Sequence, residues 1–346
     1  MSERRIFLDE SPGEARGVVT LDGAPERLLI RREGEDPRLR AGARLAAVVA
    51  SVEPALSLAF LDLGDGAQAI LQFKADVRPA RGEVVEVEIR SEPRSGKLAV
   101  ARLLGPGDGR PRLLAEAPRL ESLLKALARD AGLVTGAAAR AVADAAEAEA
   151  LEVVHPLPGG GALAVEPTRA LTALDVDLGE RKGADSKRVT RAANLAAIGL
   201  AARLLRLKGL GGLVVIDLVG RGHDAKALMA AARAAFGPDN PGVAVEPIGR
   251  FGTLQLSLPR RGRPVGEVLR RADGALSDLS LALRLLRRIE AEAQAQPGAR
   301  LAARAAPAVI AAAEPLAPRL AARIGARFAL QVDPAAPRER FDVAVP

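Results

Sequence analysis

Residues 171–220 read LTALDVDLGERKGADSKRVTRAANLAAIGLAARLLRLKGLGGLVVIDLVG, and the order of elements within them decides the fold. Residues 171–177 alternate apolar and polar side chains with a period of two, as a strand does. A polar loop, LGERKGAD, follows. Across residues 186–208 apolar side chains recur at helical spacing, with Leu195, Ile198 and Leu205 on one face. GLVVIDLVG then reads as a second strand, apolar enough on both faces to be buried. Strand, long helix and strand make the βαβ unit of an α/β sheet. Asp175 and Asp177 share one side of the first strand because successive side chains alternate, and Asp217 closes the second strand. The C-terminal ends of such strands are where α/β sheets take ligands. Neighbouring carboxylates repel and are costly to desolvate. Mg2+, which takes one or two carboxylates along with water and phosphate oxygens, relieves both costs. The same pattern fits a second reading, in which each Asp caps the turn or helix after its strand. The loops after these Asp residues, LGERKGAD and GRGHDAK, carry basic groups where a phosphate can sit.

Working outward, residues 224–236 read as a helix and VAVEPIG and TLQLSLP as strands. Residues 262–275 read as a hinge. The tail reads helix, strand, helix, strand, strand, with LSLALRLLRRIEAEAQ, ARFALQV and RFDVAV its clearest pieces. Toward the N-terminus, residues 118–150 are helical in two pieces. The second, GAAARAVADAAEAEA, is so Ala-rich that its apolar face is weak, which suits a surface helix or a spacer. Residues 105–112, GPGDGRPR, read as a linker. Residues 42–104 are all-β: about five short strands with a hairpin signal at Asp65-Gly66 fit a small closed oligonucleotide-binding barrel. Residues 1–40 read as short strands that turn at Asp22-Gly23. The expected division is N-terminal strands over 1–40, a barrel over 41–104, a linker and reduced helical spacer over 105–155, an α/β domain over 156–262 and a small α+β domain over 263–346.

Composition narrows the chemistry. With 49% hydrophobic and 27% charged residues, the 346-residue chain has material for packed cores, and global disorder is excluded. Lys and Arg number 50 against 43 Asp and Glu, and the net +7 leans modestly toward an anionic partner. The absence of Cys excludes disulfides, iron–sulfur clusters, Cys-ligated zinc and thiol catalysis. His155 and His223 alone leave little for a His metal site or a Ser–His–Asp centre. Without Trp or Tyr, base stacking rests on seven Phe or on Arg. No apolar run is long enough to span a membrane, and MSERRIFLDE lacks an apolar signal core, so a cytoplasmic protein with no membrane partner is expected.

The stretch at 171–220 resembles the catalytic core of the ribonuclease E/G family. ARLAAVVASVEPALSLAFLDLGDGAQAIL resembles that family's S1-like RNA-binding domain, IGRFGTLQLSLPR the strand pair after its second catalytic carboxylate, and LALRLLRRIEAEA with RFALQVD its small C-terminal domain. The resemblance implies an S1-like barrel, a DNase-I-like α/β catalytic domain and a small α+β domain. It also implies Mg2+-dependent internal cleavage of single-stranded RNA, in RNA processing or decay. It places the metal-binding aspartates at Asp175 and Asp217. Asp177 stands where the family has a supporting Asn, adding charge. It places RNA contacts at Phe60 and Lys97, with Ile70 where a second Phe is expected, and leaves Arg181, Lys182 and Arg188 to meet phosphates. Phe60 as a barrel-core residue and Lys97 as a solvated turn residue are the structural readings of the same positions. The family's paired Cys, which share a zinc between protomers, have no counterpart, so zinc is not expected and any homo-oligomer forms without it. The family's long insert, with an RNase-H-like fold and a 5′-monophosphate pocket, is represented by about 119–155 only, so 5′-end sensing is expected to be lost. A non-catalytic RNA-binding protein that kept the ribonuclease E/G fold is the alternative, and the three carboxylates weigh against it.

Overall fold

The computed structural model describes residues 3–74, 79–94, 96–180, 185–222 and 224–346. Arg181, Lys182 and His223 lie outside the described residues. The chain opens with an antiparallel meander, β1 (Arg4–Ser11), β2 (Glu14–Leu21) and β3 (Ala24–Arg32). The β2–β3 turn places Asp22 and Gly23 at φ 50° and 82°, the paired left-handed conformations of a tight hairpin that match strand twist.

A barrel follows. β4 (Arg44–Glu53), β5 (Leu58–Asp62), β6 (Gln68–Gln72), β7 (Val84–Ser91) and β8 (Ala99–Pro106) close in the ring order β5-β6-β8-β7-β4, with β4 pairing back to β5. Leu45, Val49, Leu61, Leu71, Val87 and Ile89 fill its interior. Residues 105–112, expected to be a linker, belong partly to the barrel. β8 runs to Pro106, and β9 (Arg112–Ala115) pairs with β4, extending the sheet by one strand.

Residues 119–155, expected to be a reduced spacer, instead complete the first sheet. α1 (Leu120–Leu127) leads to β10 (Leu133–Val134), which pairs parallel with β1 to give the order β10-β1-β2-β3. The N-terminal strands and this segment thus form one α/β unit into which the barrel is inserted. On one face Leu120 and Leu124 pack with Ile6, Leu8 and Val19. On the other lies α2 (Gly136–Leu151), the Ala-rich helix. Its stripe of Ala139, Ala143, Ala146 and Ala150 is buried with Phe7, Val18 and Leu28. Ala side chains at 3–4 spacing let the helix approach the sheet closely at little entropic cost, so a weak apolar face still serves as a core face.

The second sheet has the order β11-β12-β13-β14-β16-β15. Its strands are β11 (Val154–Pro156), β12 (Ala162–Pro167), β13 (Thr172–Asp177), β14 (Gly212–Asp217), β15 (Ala244–Val245) and β16 (Thr253–Leu258). β13 and β14 are parallel and joined by α3 (Ser186–Leu207), and α4 (Ala225–Phe236) follows β14. α3 packs against this sheet and also against β3, so one apolar core unites the two sheets. Within the expected hinge at 262–275, α5 (Val265–Leu269) buries Val265 and Leu269 in that same core.

The C-terminal unit is α6 (Asp278–Ala295), β17 (Leu301–Ala305), α7 (Pro307–Ala313), α8 (Ala317–Ile324), β18 (Phe328–Val332) and β19 (Phe341–Ala344), with sheet order β18-β17-β19. A buried ionic network joins it to the first sheet. Arg16 on β2, 0% exposed, reaches Asp9 at 2.6 Å, Asp144 at 2.8 Å and Glu147 at 2.8 Å. Glu147 also meets Arg284 at 2.8 Å and Arg287 at 3.3 Å, both on α6. Arg287 continues to Glu14 at 2.6 Å, and Arg140 links Asp9 to Glu290. Burial disfavours the Arg16 charge, but Glu147, Asp9 and Asp144 outweigh it and hold its pKa above the ordinary guanidinium value. Burial likewise pushes the Glu147 carboxyl up, but Arg287, Arg16 and Arg284 more than reverse this and hold it below the usual carboxylate range.

Candidate active site

Alternate residues of β13 and β14 face opposite ways. Leu174, Val176, Val214 and Ile216 are buried in the core that contains α3. Asp175, Asp177, Leu213, Val215 and Asp217 point to the other face, and no helix among the described residues covers it. The expectation that GLVVIDLVG is buried on both faces is therefore corrected: Leu213 is 45% exposed and Asp217 is exposed too. With helices packed on one side only, the sheet offers a solvated surface that carries the carboxylates.

Register brings two of them together. Asp175 and Asp217 are Cα partners in the parallel β13–β14 pair, so adjacent strands about 4.8 Å apart hold them side by side on that face. Like charges placed directly opposite are unfavourable in a sheet. Among the described residues neither carboxylate accepts a hydrogen bond or joins an ion pair, so neither caps the turn after its strand. Asp177, one pleat further on, does: its Oδ1 accepts the Gly179 N–H at 2.9 Å and fixes the start of the loop toward α3. The capping reading thus fits Asp177, whereas the paired reading fits Asp175 and Asp217. Among the described residues no three His, Cys, Asp or Glu side chains gather in a metal-holding group.

Three loops border the pair, from the ends of β13 and β14 and the start of β16. Asp185 caps α3, accepting from the Lys187 and Arg188 N–H groups at 3.0 and 3.2 Å, which leaves Arg188 exposed in the helix's first turn. The loop after β14 is held by Asn194, a residue the sequence reading passed over. Its Nδ2 donates to the Val219 carbonyl at 3.0 Å and its Oδ1 accepts the Val219 N–H at 3.1 Å. An amide on the otherwise apolar face formed by Ala193, Ala197 and Ile198 was the available signal, since a buried amide needs partners. Arg191 on α3 meets Asp224, the cap of α4, at 3.2 Å and ties the two helix starts together. Gly161, at φ +79°, is required beside the site: a Cβ there would lie 2.2 Å from the Asp177 carbonyl oxygen.

The barrel residues lie elsewhere. Phe60 alternates with the interior residues Ala59 and Leu61 and sits half-buried on the outer surface, so it is not a barrel-core residue. It pairs with Ile70, which pairs with Val100, making an apolar row across three strands. Lys97 is exposed in the turn between β7 and β8, bridged to Arg94. This turn faces a cleft whose other lining includes Lys208, Arg263, Arg270 and Arg271, with Glu152 and Glu267 as its acidic members. Pro167, also in that lining, is the partner of Thr172 at the start of β13. Lys97 therefore faces the end of the sheet opposite the carboxylates, and three residues of β13, or about 10 Å of strand, separate the two levels. Asp175, Asp217, Asp177 and the start of α3, which carries Arg188, share one end of the sheet, whereas Lys97 lies toward the other end and Phe60 lies on the barrel. His155 is buried in β11.

The ribonuclease E/G family profile matches residues 118–261. Ribonuclease E of Haemophilus influenzae is 35% identical over 147 residues, covering 40% of this chain and 16% of that protein. Ribonuclease E of Escherichia coli strain K12 is 35% identical over 147 residues, covering 40% of this chain and 14% of that protein. The chloroplastic ribonuclease E/G-like protein of Arabidopsis thaliana is 29% identical over 110 residues, covering 30% of this chain and 11% of that protein. The matched stretch thus spans 16% or less of each of these relatives.

Proposed function

We propose that this chain, whose residues 118–261 match the ribonuclease E/G family, is an endoribonuclease of that family. On this reading it cleaves single-stranded RNA in RNA processing or decay in the cytoplasm, using Mg2+ held by Asp175 and Asp217. The observation that carries the reading is the register of β13 against β14, which sets two exposed carboxylates side by side with no partner among the described residues. Such a pair fits Mg2+, which needs only one or two carboxylates and completes its shell with water and phosphate oxygens. It does not fit a zinc cage, for which this sequence has no Cys. A bound Mg2+ supplies Lewis-acid stabilisation of the charge that builds on the phosphate during hydrolysis.

The chain's own residues do the rest. Asp175 and Asp217 bind the cation, and Asp177 fixes the loop that leads to α3. Asn194 holds the backbone at Val219, one residue beyond Leu218, so that the loop after Asp217 keeps one shape. Arg188, at the electropositive start of α3, meets a phosphate oxygen, and Arg181 and Lys182 of the preceding loop are assigned the same task from sequence. The barrel is the S1-like RNA-binding element, with Phe60 and Lys97 as its contacts, and the second sheet with α3 and α4 is the DNase-I-like catalytic element. A non-catalytic RNA-binding protein that kept the ribonuclease E/G fold is the alternative, and an exposed pair of like charges with no structural duty argues against it.

The test is incubation of end-labelled single-stranded RNA with the purified chain, with Mg2+ and with chelator. Internal cleavage that needs Mg2+ is expected. Asp175→Asn and Asp217→Asn should each abolish cleavage and leave RNA affinity in chelator nearly unchanged. Cleavage by both variants at the wild-type rate would remove these residues from the site.

A further inference from the structure

Phe251 is 78% exposed. The other Phe residues are buried, as Phe7 and Phe236 are, or half-buried, as Phe60, Phe73, Phe328 and Phe341 are. An exposed large ring forgoes its burial energy; one alone is ordinary on a protein surface, and it is the placement of this one that points to a partner. Phe251 sits at the tip of a tight turn, in which Gly252 donates to the Gly249 carbonyl at 3.0 Å and Gly249 to the Thr253 carbonyl at 3.2 Å. Gly252 takes φ +82°, which the turn requires. The turn is pinned beside the carboxylates: Thr253 is the antiparallel partner of Asp217, and the Leu218 N–H donates to the Gly252 carbonyl at 3.3 Å. Two residues of chain and one strand spacing put the Phe251 Cα within about 10 Å of the Asp217 Cα.

Arg250 adds a second observation. Its guanidinium lies over the Phe251 ring, 5.0 Å from the centroid, and joins no ion pair among the described residues. An Arg stacked on an aromatic ring holds the ring's orientation and keeps its own donors for a phosphate. A flat apolar face beside an unpaired planar cation matches the alternation of base and phosphate in a single strand.

We propose that Phe251 is a base-stacking residue of the active site. In this arrangement a nucleobase flanking the scissile phosphodiester lies on the Phe251 ring, and Arg250 contacts a neighbouring phosphate. The inference rests on the endoribonuclease reading for its substrate and deepens it by assigning where the strand is gripped. Stacking is nearly indifferent to base identity, so Phe251 sets the register of the strand over Asp175 and Asp217 rather than a sequence preference. It is a positioning residue, since it lies beside the carboxylate pair without belonging to it.

The experiment is an abasic scan. A single-stranded RNA with one cleavage position is prepared with one base removed at each nucleotide in turn. Each RNA is assayed with the full-length wild type, Phe251→Ala and Phe251→Trp, by equilibrium binding in chelator and by single-turnover cleavage with Mg2+. Phe251→Ala should keep the wild-type melting temperature and lose roughly 5- to 150-fold in binding or cleavage of intact RNA, the span of one base–aromatic stack. Phe251→Trp should restore it. One abasic position next to the cut should cost the wild type a similar factor and cost Phe251→Ala nothing further. The proposal is overturned if every abasic RNA affects wild type and Phe251→Ala alike, or if Phe251→Ala binds and cuts as the wild type does. If the wild type binds RNA and never cuts it, the endoribonuclease reading falls, and the coupling between Phe251 and one base in the binding data still decides the stacking assignment. If the wild type binds no single-stranded RNA, both fall.

Discussion

Replacing Arg16 with Met tests the ionic network between the first sheet and α6. The guanidinium is fully buried and is shared by Asp9, Asp144 and Glu147 at 2.6 to 2.8 Å. Breaking a buried pair by removing one partner costs about 3–5 kcal/mol, because the remaining charge is left uncompensated. Here the abandoned groups keep some support: Asp9 retains Arg140 at 3.1 Å, and Glu147 retains Arg284 and Arg287. Met also returns apolar packing in the vacated volume. The expected loss is therefore near the low end, about 3 kcal/mol. With no Trp or Tyr in the chain, unfolding is followed by far-ultraviolet circular dichroism in urea or by calorimetry.

Three readings check the reasoning. Arg16→Met with Asp9→Asn should cost less than the sum of the single changes, by about 1 kcal/mol or more, as coupled partners do. The loss should persist in high salt, since buried pairs are poorly screened. It should shrink in acid. The folded-state pKa of Glu147 is depressed below the reference 4.5, so the stability it contributes is complete above that pH and is lost as pH falls through the folded value. A loss below about 1 kcal/mol, or strict additivity with Asp9→Asn, would refute the idea that Arg16 is energetically central to this network.

Further outcomes can be checked individually. Asn194→Ala strips the Val219 peptide of both partners, so stability should fall by about 2 kcal/mol and cleavage should fall more than RNA affinity; unchanged cleavage would deny the loop a role. Lys208, whose Nζ donates to the Ala150 and Glu152 carbonyls, has its pKa lowered by burial from 10.5 to about 8. The folded state therefore sheds the proton first, and wild type should gain on Lys208→Met as pH rises from about 8, by about 2 kcal/mol near pH 9.5, in paired melting curves. Phe60→Ala should weaken single-stranded RNA binding at every salt concentration, whereas Lys97→Ala should flatten the slope of log affinity against log salt by about one unit or less; the reverse pattern would remove both from the RNA path.

What could be read from the sequence follows from how local each signal is. The barrel strands and the strand–helix–strand core show as periods of two and 3.6, and Asp175 and Asp177 sharing a face follows from alternation alone. That Asp175 and Asp217 sit at the same level depends on how α3 returns the chain, which spacing does not encode; the family resemblance pointed there instead. The joining of β10 to β1 was illegible because the partners, Ile6 and Leu133, are separated by the whole barrel. α2 was misjudged because Ala carries little hydrophobic signal. Arg16 and Glu147 look like surface charges until the segments that satisfy them, β1, α2 and α6, are brought together. Asn194 and Phe251 each break the pattern of their surroundings, one a polar group on an apolar helix face and the other an apolar ring in a polar turn.

The barrel enters and leaves the first sheet at one place. Arg44 and Leu45 pair with Ala115 and Leu113, and Gly42 lies against Pro118, where an added Cβ would come within 2.8 Å of the proline ring. This gives the barrel a thermodynamic duty independent of any ligand. Were it unfolded, pairing β10 with β1 and seating α1 and α2 would mean closing a loose loop of roughly 90 residues, whereas the folded barrel presents the two chain ends already side by side, as a loop of about ten would. The difference in closure entropy is about 2 kcal/mol. Mutations deep in the barrel, far from Asp175 and Asp217, should thus weaken the sheet that supports α3, and the two units should lose stability together.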